Sequence, residues 1–542
     1  MRMEKRRVWN IAACAVTLLA AAATLLYYVF GPSLSYFHAD CTDSLLWAQV
    51  TVETGEWLAS DFHYAALLPF GSPLWMVPVL KMFGYTMTAQ QVSMAIFVLL
   101  FLAAAFFCFR TLRFSLAGAG GATFVLALLL SSSVKLREIM WEHTIYYSLS
   151  ILFILLLVTL TVRVQERLAS PCNTRRELIL LAVTSALLWL LCLGCGMDGI
   201  QVTVITVFPV AAAWIVQTLL DGDEHLLSAT NRWHYVVVGL MAVGVVCGLI
   251  VLGVITKGGE IKAGYENAFS RYDKFGNWAE NARYFLPHFL SLCGVNVPET
   301  IPFVSMNSIF TVIKLAAAWG ILLFPFLLLF RYRKLQHRAA KVMVWTHVIV
   351  TGTLGFLFVC GFLSNANWRL TPMVGTGLVT ALLYLRELFD GSRVEKRVAV
   401  VLAAVLATAS VVNAGTMWAM PTAAGDNQKV INVANTLAAK DCTYGYATFW
   451  NAQSTTLLSG GKVTVMPMEV EQDRWNVYQY QIRDAWLEPY DTQARVFVMV
   501  TSMEYEHLKG NAAYQSLKAD GALVEQYVQE GYHILIFDRN PL

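Results

Sequence analysis

Long apolar runs, each close to the length of a membrane span, alternate with short polar segments over most of the chain. A helix needs about 20 mainly apolar residues to cross a bilayer core, so runs of this length predict transmembrane helices. The pattern predicts about eleven of them, at 8–30, 91–110, 116–134, 145–163, 178–196, 200–219, 235–256, 306–330, 341–363, 371–389 and 396–418.

Positive charges are concentrated in alternate loops. Cytoplasmic loops retain lysine and arginine during insertion, so the basic start MRMEKRR predicts a cytoplasmic N-terminus. The basic loops would share that side: 110–113, 163–176, around Arg232, 331–341 and 386–397. The complementary loops would be extracytoplasmic: 31–90, 135–144, around Asp198, 257–305, 364–370 and everything after 419.

Segment 67–84 (LLPFGSPLWMVPVLKMFG) is apolar but contains three prolines and a lysine. We expect a helix lying in the outer interface. If it crossed the membrane, every later loop would change sides and the arginine clusters would face outward. The outward loop 257–305 is too long for a simple connection, and we expect it to pack over the substrate cavity.

The composition changes after Pro421, where charged residues become common and the apolar runs shorten to strand length. Residues 426–440 have helical periodicity, whereas 443–450, 462–468, 494–501 and 533–538 resemble strands. The predicted organisation is a transmembrane domain at 1–419, with the extracytoplasmic loops 31–90 and 257–305, and a small soluble α/β domain at 420–542.

The overall composition excludes a water-soluble fold, because 57% of the 542 residues are hydrophobic and only 14% are charged. The formal net charge is +3, and the basic residues form short clusters instead of one broad patch. This distribution argues against nucleic acid as a partner and favours the lipid bilayer.

Two predicted outward loops carry acidic residues. Asp40 and Asp43 stand at the start of a predicted amphipathic helix, where Asp43 could also act as its cap. Glu142 and His143 precede the fourth span beside Trp141. Helix capping and interfacial anchoring are the alternative interpretations of these residues. Ionisable groups held at a membrane surface also suit general-base catalysis.

The order of motifs in the first outward loop resembles the GT-C superfamily of membrane glycosyltransferases. Asp40 is followed by Gly55-Glu56-Trp57 and then by the proline-containing segment PLWMVPVLKMFG. The superfamily includes protein O-mannosyltransferases and the aminoarabinose transferase of lipid A, which use polyprenyl-phosphate-linked sugars. The resemblance covers roughly the first 200 residues and implies a GT-C-like fold.

The resemblance also implies roles for particular residues. Asp40 would be the catalytic base of an inverting transfer, Asp43 its reserve, and Glu142 with His143 the second acidic site. Cations near the outer interface would bind the donor phosphate: Lys135, Arg137 and Arg369, with Lys257, Lys262, Arg271 and Arg283 as further candidates. The candidate contacts to the acceptor or sugar are Trp57, Tyr64, Tyr446 and Trp450.

No cofactor is fixed by the sequence, although a divalent cation is a candidate. Its ligands would come from His38, Asp40, His63 and Glu142. The predicted partners are a polyprenyl-phosphate sugar, the bilayer and an extracytoplasmic acceptor, which could be a protein, an envelope polymer or a lipid.

The sequence is also compatible with two other functions. One is a transporter or flippase of lipid-linked precursors, and the other is a non-catalytic scaffold with the same fold. A transporter would carry ionisable residues near the middle of its spans, where Lys314 is the main example in this chain.

Overall fold

The computed structural model of the chain describes residues 2–170, 173–221, 228, 231–257, 261–263, 271–296, 302, 304–361, 366–471 and 474–542. The chain divides into two units. Unit 1 consists of Met1–Tyr27, Phe97–Val254 and Phe269–Ala419. Unit 2 consists of Tyr28–Ile96, Ile255–Ala268 and Met420–Leu542, so it combines the first polar loop with the C-terminal part of the chain.

Unit 1 and the helices that lead into it are almost entirely helical, as the long apolar runs predict. The α-helices are Arg2–Phe30, Met87–Thr111, Leu116–Leu129, Val134–Glu138, Tyr146–Ala169, Arg175–Met197, Gly199–Ile205, Val207–Asp221, Arg232–Lys257, Trp278–Leu292, Met306–Phe330, Arg338–Cys360, Thr371–Phe389 and Arg393–Trp418. Every predicted span overlaps one of these helices, except that 200–219 is divided between two consecutive ones.

Among the described residues, nine helices have the length and composition needed to cross a membrane. A tenth is obtained if the bent pair Leu116–Leu129 and Val134–His143 counts as one span. The 19-residue helix Thr371–Phe389 is additional to these and carries Arg386 and Glu387 in its last turn. The chain is therefore a multi-pass helical membrane protein.

The bend in this helix pair follows from a run of three serines, Ser131 to Ser133. The two helices meet at 115°. Ser133 caps the second helix by accepting a hydrogen bond from the Leu136 N–H, and Ser131 accepts one from the Trp141 indole at 2.8 Å. After Glu138 the helix widens into a π-helical turn at Ile139–His143, a local form that is frequent at functional sites.

The first part of unit 2 contains two short helices. The helix Asp43–Thr54 follows a 3-10 turn at Ala39–Thr42 and ends at Gly55, whose φ of 74° lies in the left-handed region that glycine adopts without strain. The predicted interfacial segment forms the helix Pro73–Phe83, which is only 11 residues long. Strand β1 (His63–Tyr64) pairs in parallel with β2 (Lys262–Ala263).

The C-terminal part of unit 2 contains a six-stranded sheet, which confirms the predicted α/β region. Its strands are β3 (Tyr444–Thr448), β4 (Thr464–Glu471), β5 (Arg474–Val477), β6 (Val496–Thr501), β7 (Leu523–Gln529) and β8 (Tyr532–Phe537), in the order β5-β4-β3-β6-β8-β7. The central strands β4, β3 and β6 are parallel, and the outer pairs are antiparallel. The helices are Asn427–Ala439, Ala452–Leu458, Glu488–Thr492, Ser502–Gly510 and Ala512–Ala519.

Both faces of this sheet are buried, as expected for a sheet with parallel central strands. Val433 and Leu437 of the first helix pack on one face with Phe497 and Met499. The other face packs Val498 and Val500 against residues of the helices Ser502–Gly510 and Ala512–Ala519. Alternate side chains of β6 therefore pack into the hydrophobic cores on opposite faces of the sheet.

Candidate functional site

The acidic pair predicted in the first loop lies at the junction of a 3-10 turn and a helix in unit 2. Asp40 belongs to the 3-10 turn and is partly exposed, whereas Asp43 begins the helix and is only 8% exposed. Thr42, and not Asp43, occupies the cap position, and its side chain makes no capping bond. The capping role considered for Asp43 is therefore wrong.

The carboxyl of Asp43 is buried and has an unusual proton affinity. Burial raises its pKa to about 7, and the negative charge of Asp40 acts in the same direction. A hydrogen bond donated by the Gln481 amide to Asp43 Oδ1, at 3.1 Å, partly opposes this increase. Near neutral pH the Asp43 carboxyl is therefore partly protonated, a property that acid–base catalysis can use.

Two chain segments within unit 2 pair beside this acidic site. The His63 N–H donates to the Ile482 carbonyl and the Gln481 N–H to the His63 carbonyl, both at 2.9 Å. Asp484 N–H donates to the Asp61 carbonyl at 3.0 Å, and Phe62 forms an antiparallel bridge with Arg483. These backbone bonds hold the C-terminal segment 478–487 against the first loop.

Charged side chains reinforce this pairing. Arg483 forms ion pairs with Asp61 at 2.7 Å and with Glu53 at 3.5 Å. His63 Nε2 lies 2.9 Å from Asp484 Oδ1. His63, one of the candidate metal ligands in the sequence, and its neighbour Asp61 thus contact the C-terminal segment. Within the described part of the chain, no group of three or more His, Cys, Asp or Glu side chains could hold a metal ion.

An aromatic group lies on the same unit, formed by Phe449, Trp450, Tyr478 and Tyr480. The Phe449 ring is 5.3 Å from Trp450 and 5.2 Å from Tyr480, measured between centroids. Trp450 is 58% exposed, and its ring is 6.1 Å from that of His38, two residues before Asp40. Of the predicted sugar contacts, Trp450 is therefore the one with an accessible ring beside the acidic turn.

The other predicted aromatic contacts have structural roles. Tyr64 is 2% exposed and its hydroxyl accepts a hydrogen bond from the Ala59 N–H, while Tyr446 is 1% exposed and packs against Tyr490 in the sheet core. Neither ring face is open to a sugar, so burial argues against the predicted sugar contacts of Tyr64 and Tyr446. Trp57 is partly exposed, and its indole donates to the Pro69 carbonyl at 3.1 Å.

In unit 1 the second predicted acidic group lies in the π-helical turn. Glu142 is 2% exposed and His143 is 8% exposed, so both side chains are buried there. Lys135 forms an ion pair with Glu138 at 2.6 Å and lies over the Trp368 ring. Arg137 is 5% exposed and donates to the Ser131 carbonyl at 3.0 Å.

A cavity of about 310 Å³ in unit 1 combines apolar walls with two arginines, Arg271 and Arg369. Its other lining residues are Tyr147, Ile200, Gln201, Val204, Ile205, Tyr272, Leu354, Leu357, Phe358 and Gly361. The predicted donor-binding residue Arg369 thus lines this cavity, and Lys135 and Arg137 are not among its lining residues. The side chains of Lys257 and Lys262 lie outside the described residues, and Arg283 is exposed.

Backbone bonds hold Arg271 at the cavity. Tyr272 bridges to Gly361, and the Asp273 N–H donates to the Cys360 carbonyl at 2.8 Å. The buried amide of Asn281 donates to Asp273 Oδ2 and to the Val359 carbonyl, both at 3.0 Å. Hydrogen bonds hold the pKa of Asp273 below its usual value, and the bond from Asn281 has the largest effect. The loop carrying Arg271 is therefore tied to the end of the helix Arg338–Cys360.

The contacts that Gln481, Arg483 and Asp484 make with the first loop had no signal in the sequence. They lie in a short polar stretch, QIRDAW, without a recognisable motif. Arg271 was only a secondary candidate, because a loop arginine is common and its position at a cavity depends on the fold.

Two solved structures share this fold over nearly the whole chain. ArnT from Cupriavidus metallidurans, bound to undecaprenyl phosphate, is 13% identical with a TM-score of 0.56, covering 97% of this chain and 98% of that one. The archaeal oligosaccharyltransferase AglB from Archaeoglobus fulgidus, in complex with an inhibitory peptide and a dolichol-phosphate, is 12% identical with a TM-score of 0.51. That match covers 98% of this chain and 74% of AglB.

No protein-family model and no curated protein sequence matches the chain. Both structural neighbours are members of the GT-C superfamily. The chain therefore has the GT-C fold, which confirms the fold that the resemblance of its first loop implied.

Proposed function

We propose that this chain is a glycosyltransferase that moves a sugar from a polyprenyl-phosphate-linked donor to an acceptor on the extracytoplasmic side of the membrane. The observation that carries the proposal is the apolar cavity of unit 1 with Arg271 and Arg369 in its lining. Such a cavity suits a ligand with a hydrocarbon chain and an anionic head group. The GT-C fold, which this chain shares with a structure bound to undecaprenyl phosphate, supports the same ligand class.

The two arginines would bind the phosphate of the donor. A guanidinium group offers paired N–H donors that match phosphate oxygens, and its charge persists at every physiological pH. Leu354, Leu357 and Phe358 form an apolar wall that suits the first isoprene units. Lys135 and Arg137 are less suited to this role, because they contact Glu138 and the Ser131 carbonyl.

Asp40 would be the catalytic base. Its carboxylate would take the proton from the acceptor hydroxyl or amine as that nucleophile bonds to the anomeric carbon. The bond between the anomeric carbon and the phosphate oxygen breaks, and its electron pair leaves with the polyprenyl phosphate. Asp43, partly protonated near neutral pH, would limit the build-up of negative charge beside the base.

The remaining predicted residues have narrower roles in this proposal. Trp450 and Trp57 would contact the acceptor or the sugar, which the exposed ring of Trp450 near His38 supports. Glu142 and His143 would form the second acidic site in the π-helical turn. The C-terminal sheet would lie on the extracytoplasmic side, as the distribution of basic loops predicts.

Sugar transfer in isolated membranes tests the proposal. A panel of radiolabelled polyprenyl-phosphate sugars is supplied to wild type, Asp40→Asn, Arg271→Gln and Arg369→Gln. We expect Asp40→Asn to lower kcat by about 100-fold or more, as for loss of a general base. Each arginine variant should raise KM for the donor by about 10-fold, as for loss of a charge-assisted hydrogen bond.

Lys274→Gln is the matched control for Arg271→Gln, because Lys274 is an exposed cation three residues away that does not line the cavity. Its KM should equal that of wild type. Movement of the lipid-linked sugar across the membrane without transfer would contradict the proposal and identify a transporter. Binding of the donor without transfer or movement would instead identify a scaffold.

A further inference from the structure

The amide of Gln481 reaches the acidic pair from a distant part of the sequence. Gln481 and Asp43 are 438 positions apart, yet Gln481 Nε2 donates to Asp43 Oδ1 at 3.1 Å. Gln481 is 2% exposed and Asp43 is 8% exposed, so this hydrogen bond is shielded from water. A buried carboxyl is sensitive to the loss of such a donor, because no water replaces it.

The backbone at Gln481 has an uncommon conformation that directs this side chain. Its φ of 53° lies in the left-handed region, which costs energy for a residue with a Cβ. The conformation is maintained by the hydrogen bond from the Gln481 N–H to the His63 carbonyl at 2.9 Å. Strained residues of this kind persist where the surrounding contacts over-determine them, and they are frequent at functional sites.

Arg483 and Trp486 anchor the segment 478–487 that carries Gln481 through contacts with residues other than Asp43. Arg483 pairs with Asp61 and Glu53, and the Trp486 indole donates to Glu53 Oε2 at 2.7 Å. The Trp486 ring also packs edge-on against Phe62, with centroids 5.9 Å apart. Anchoring and contact with the acid are therefore separable by mutation.

We propose that Gln481 is a positioning residue, which the C-terminal part of unit 2 supplies to fix the Asp43 carboxyl beside Asp40. This inference rests on the proposed function, because it assigns the acidic pair to catalysis. The C-terminal sheet is then part of the catalytic apparatus, since it determines where the Gln481 amide lies. Gln481 itself need not touch the substrate.

The first measurement compares transfer kinetics of wild type and Gln481→Met, which keeps the side-chain length but removes the amide. We expect kcat to fall by about 10-fold, as for loss of one buried hydrogen bond to a charged group, while KM for the donor stays within twofold. Gln481→Gly is the second variant, because glycine adopts φ of 53° without strain and therefore preserves the backbone. It should show the same loss of kcat.

Trp486→Phe is the matched control. It removes the indole bond to Glu53 and leaves the Gln481 amide in place. We expect a lower thermal stability with kcat within twofold of wild type. A kcat that falls equally in Trp486→Phe and Gln481→Met would show that general loosening of segment 478–487, and not the amide, lowers activity, which would overturn the inference.

A second measurement does not depend on turnover. Dicyclohexylcarbodiimide modifies protonated carboxyls in apolar surroundings, and mass spectrometry reports the fraction of Asp43 modified as a function of pH. Because the Gln481 bond lowers the pKa of Asp43, its removal in Gln481→Met should move the labelling midpoint upward, by about half a pH unit or more. The paired segments carry other titratable or charged groups, and all of them remain in both proteins: His38, Asp40, Glu53, Glu56, Asp61, His63, Tyr478, Tyr480, Arg483 and Asp484.

The two measurements separate the possible failures. An unchanged labelling midpoint in Gln481→Met overturns the inference whether or not sugar is transferred. A shifted midpoint in a protein whose wild type transfers no sugar supports the contact and contradicts the proposed function. A shifted midpoint together with a lower kcat supports both.

Discussion

Asp43 combines three features at the scale of a single residue: burial, a neighbouring carboxylate and one hydrogen-bond donor. Burial makes the largest contribution to its raised pKa, followed by the charge of Asp40, and the Gln481 amide acts in the opposite direction. Burial disfavours the ionised form of this carboxyl, so its charge carries a cost. Such a cost at one position is typical of functional sites.

The raised pKa of Asp43 predicts a specific dependence of stability on pH. The folded carboxyl has a pKa of about 7, against an ordinary value of 3.8. Between these pH values the folded state holds a proton that the unfolded state has released, so stability falls as pH rises. Relative to Asp43→Asn, wild type should lose about 1.4 kcal/mol per pH unit within this window.

Thermal unfolding of the purified protein and of Asp43→Asn, from pH 4 to pH 8, measures this effect. The midpoint of Asp43→Asn minus that of wild type should be lowest near pH 4, should rise toward pH 7 and should then level off. Comparing the two proteins cancels the groups that titrate in both. A difference that is constant over the whole range would mean that Asp43 is ionised in the folded state throughout.

The sequence identified the acidic pair but not the residue that contacts it. Asp40 and Asp43 could be predicted because a helix start and a motif order lie within one loop. Gln481 could not, because nothing local links it to a carboxyl 438 positions earlier. Tyr64 and Tyr446, predicted as sugar contacts, are buried, because an aromatic residue gives the same sequence signal in a core as in a binding site.

At the scale of elements, apolar run length was sufficient to locate the helices but not their bends. The predicted span 116–134 stops as a regular helix at Leu129, because the serine run 131–133 offers side-chain partners to the backbone. The chain then turns by 115° and places Lys135 to His143 in a separate short helix and π-turn. Hydropathy alone does not predict this bend.

Helix packing in unit 1 predicts which glycines tolerate substitution. Gly248 of the helix Arg232–Lys257 lies so close to Arg175–Met197 that an added Cβ would be 2.1 Å from the Leu193 carbonyl oxygen. The two helices would have to separate, so Gly248→Ala should destabilise the protein by about 1–3 kcal/mol. The midpoint of thermal unfolding in detergent measures the change.

Gly239 provides the control within the same helix. A Cβ added there meets nothing within 4 Å. Gly239→Ala should therefore leave the unfolding midpoint unchanged or raise it slightly, because alanine has the higher helix propensity. Equal destabilisation by both substitutions would contradict the close packing of these two helices.

At the scale of the whole molecule, the sequence predicted which segments form helices and strands better than it predicted how these elements group into units. The strands β3, β4, β6 and β8 and the helix Asn427–Ala439 lie where the periodicity indicated. The outer strands β5 and β7 were not predicted, because β5 is short and polar and β7 alternates between partly buried and exposed residues. The association of the first loop with the C-terminal part depends on long-range contacts that periodicity does not contain.

Ion pairs within unit 1 join loops that the charge pattern assigns to one side of the membrane. Arg113 pairs with Glu166, and Arg331 with Glu395, each at 2.6 Å. Lys341 pairs with Asp221 at 2.9 Å. The partners come from different predicted cytoplasmic regions, and the Arg386 guanidinium also donates to the Leu112 carbonyl, so those regions share one end of the unit. This agrees with an alternation of loops between two sides.

The orientation of the chain in the membrane then depends only on which end of unit 1 faces the cytoplasm. The basic loops predict that the end carrying them is cytoplasmic. Alkaline phosphatase fused after Leu542 should be active in a bacterial host, because the enzyme folds only outside the cytoplasm, whereas a fusion after Lys334 should be inactive. Green fluorescent protein at the same two positions should give the opposite pattern and controls for expression. Phosphatase activity after Lys334 but not after Leu542 would reverse the orientation, place Asp40 on the cytoplasmic side and contradict transfer to an extracytoplasmic acceptor.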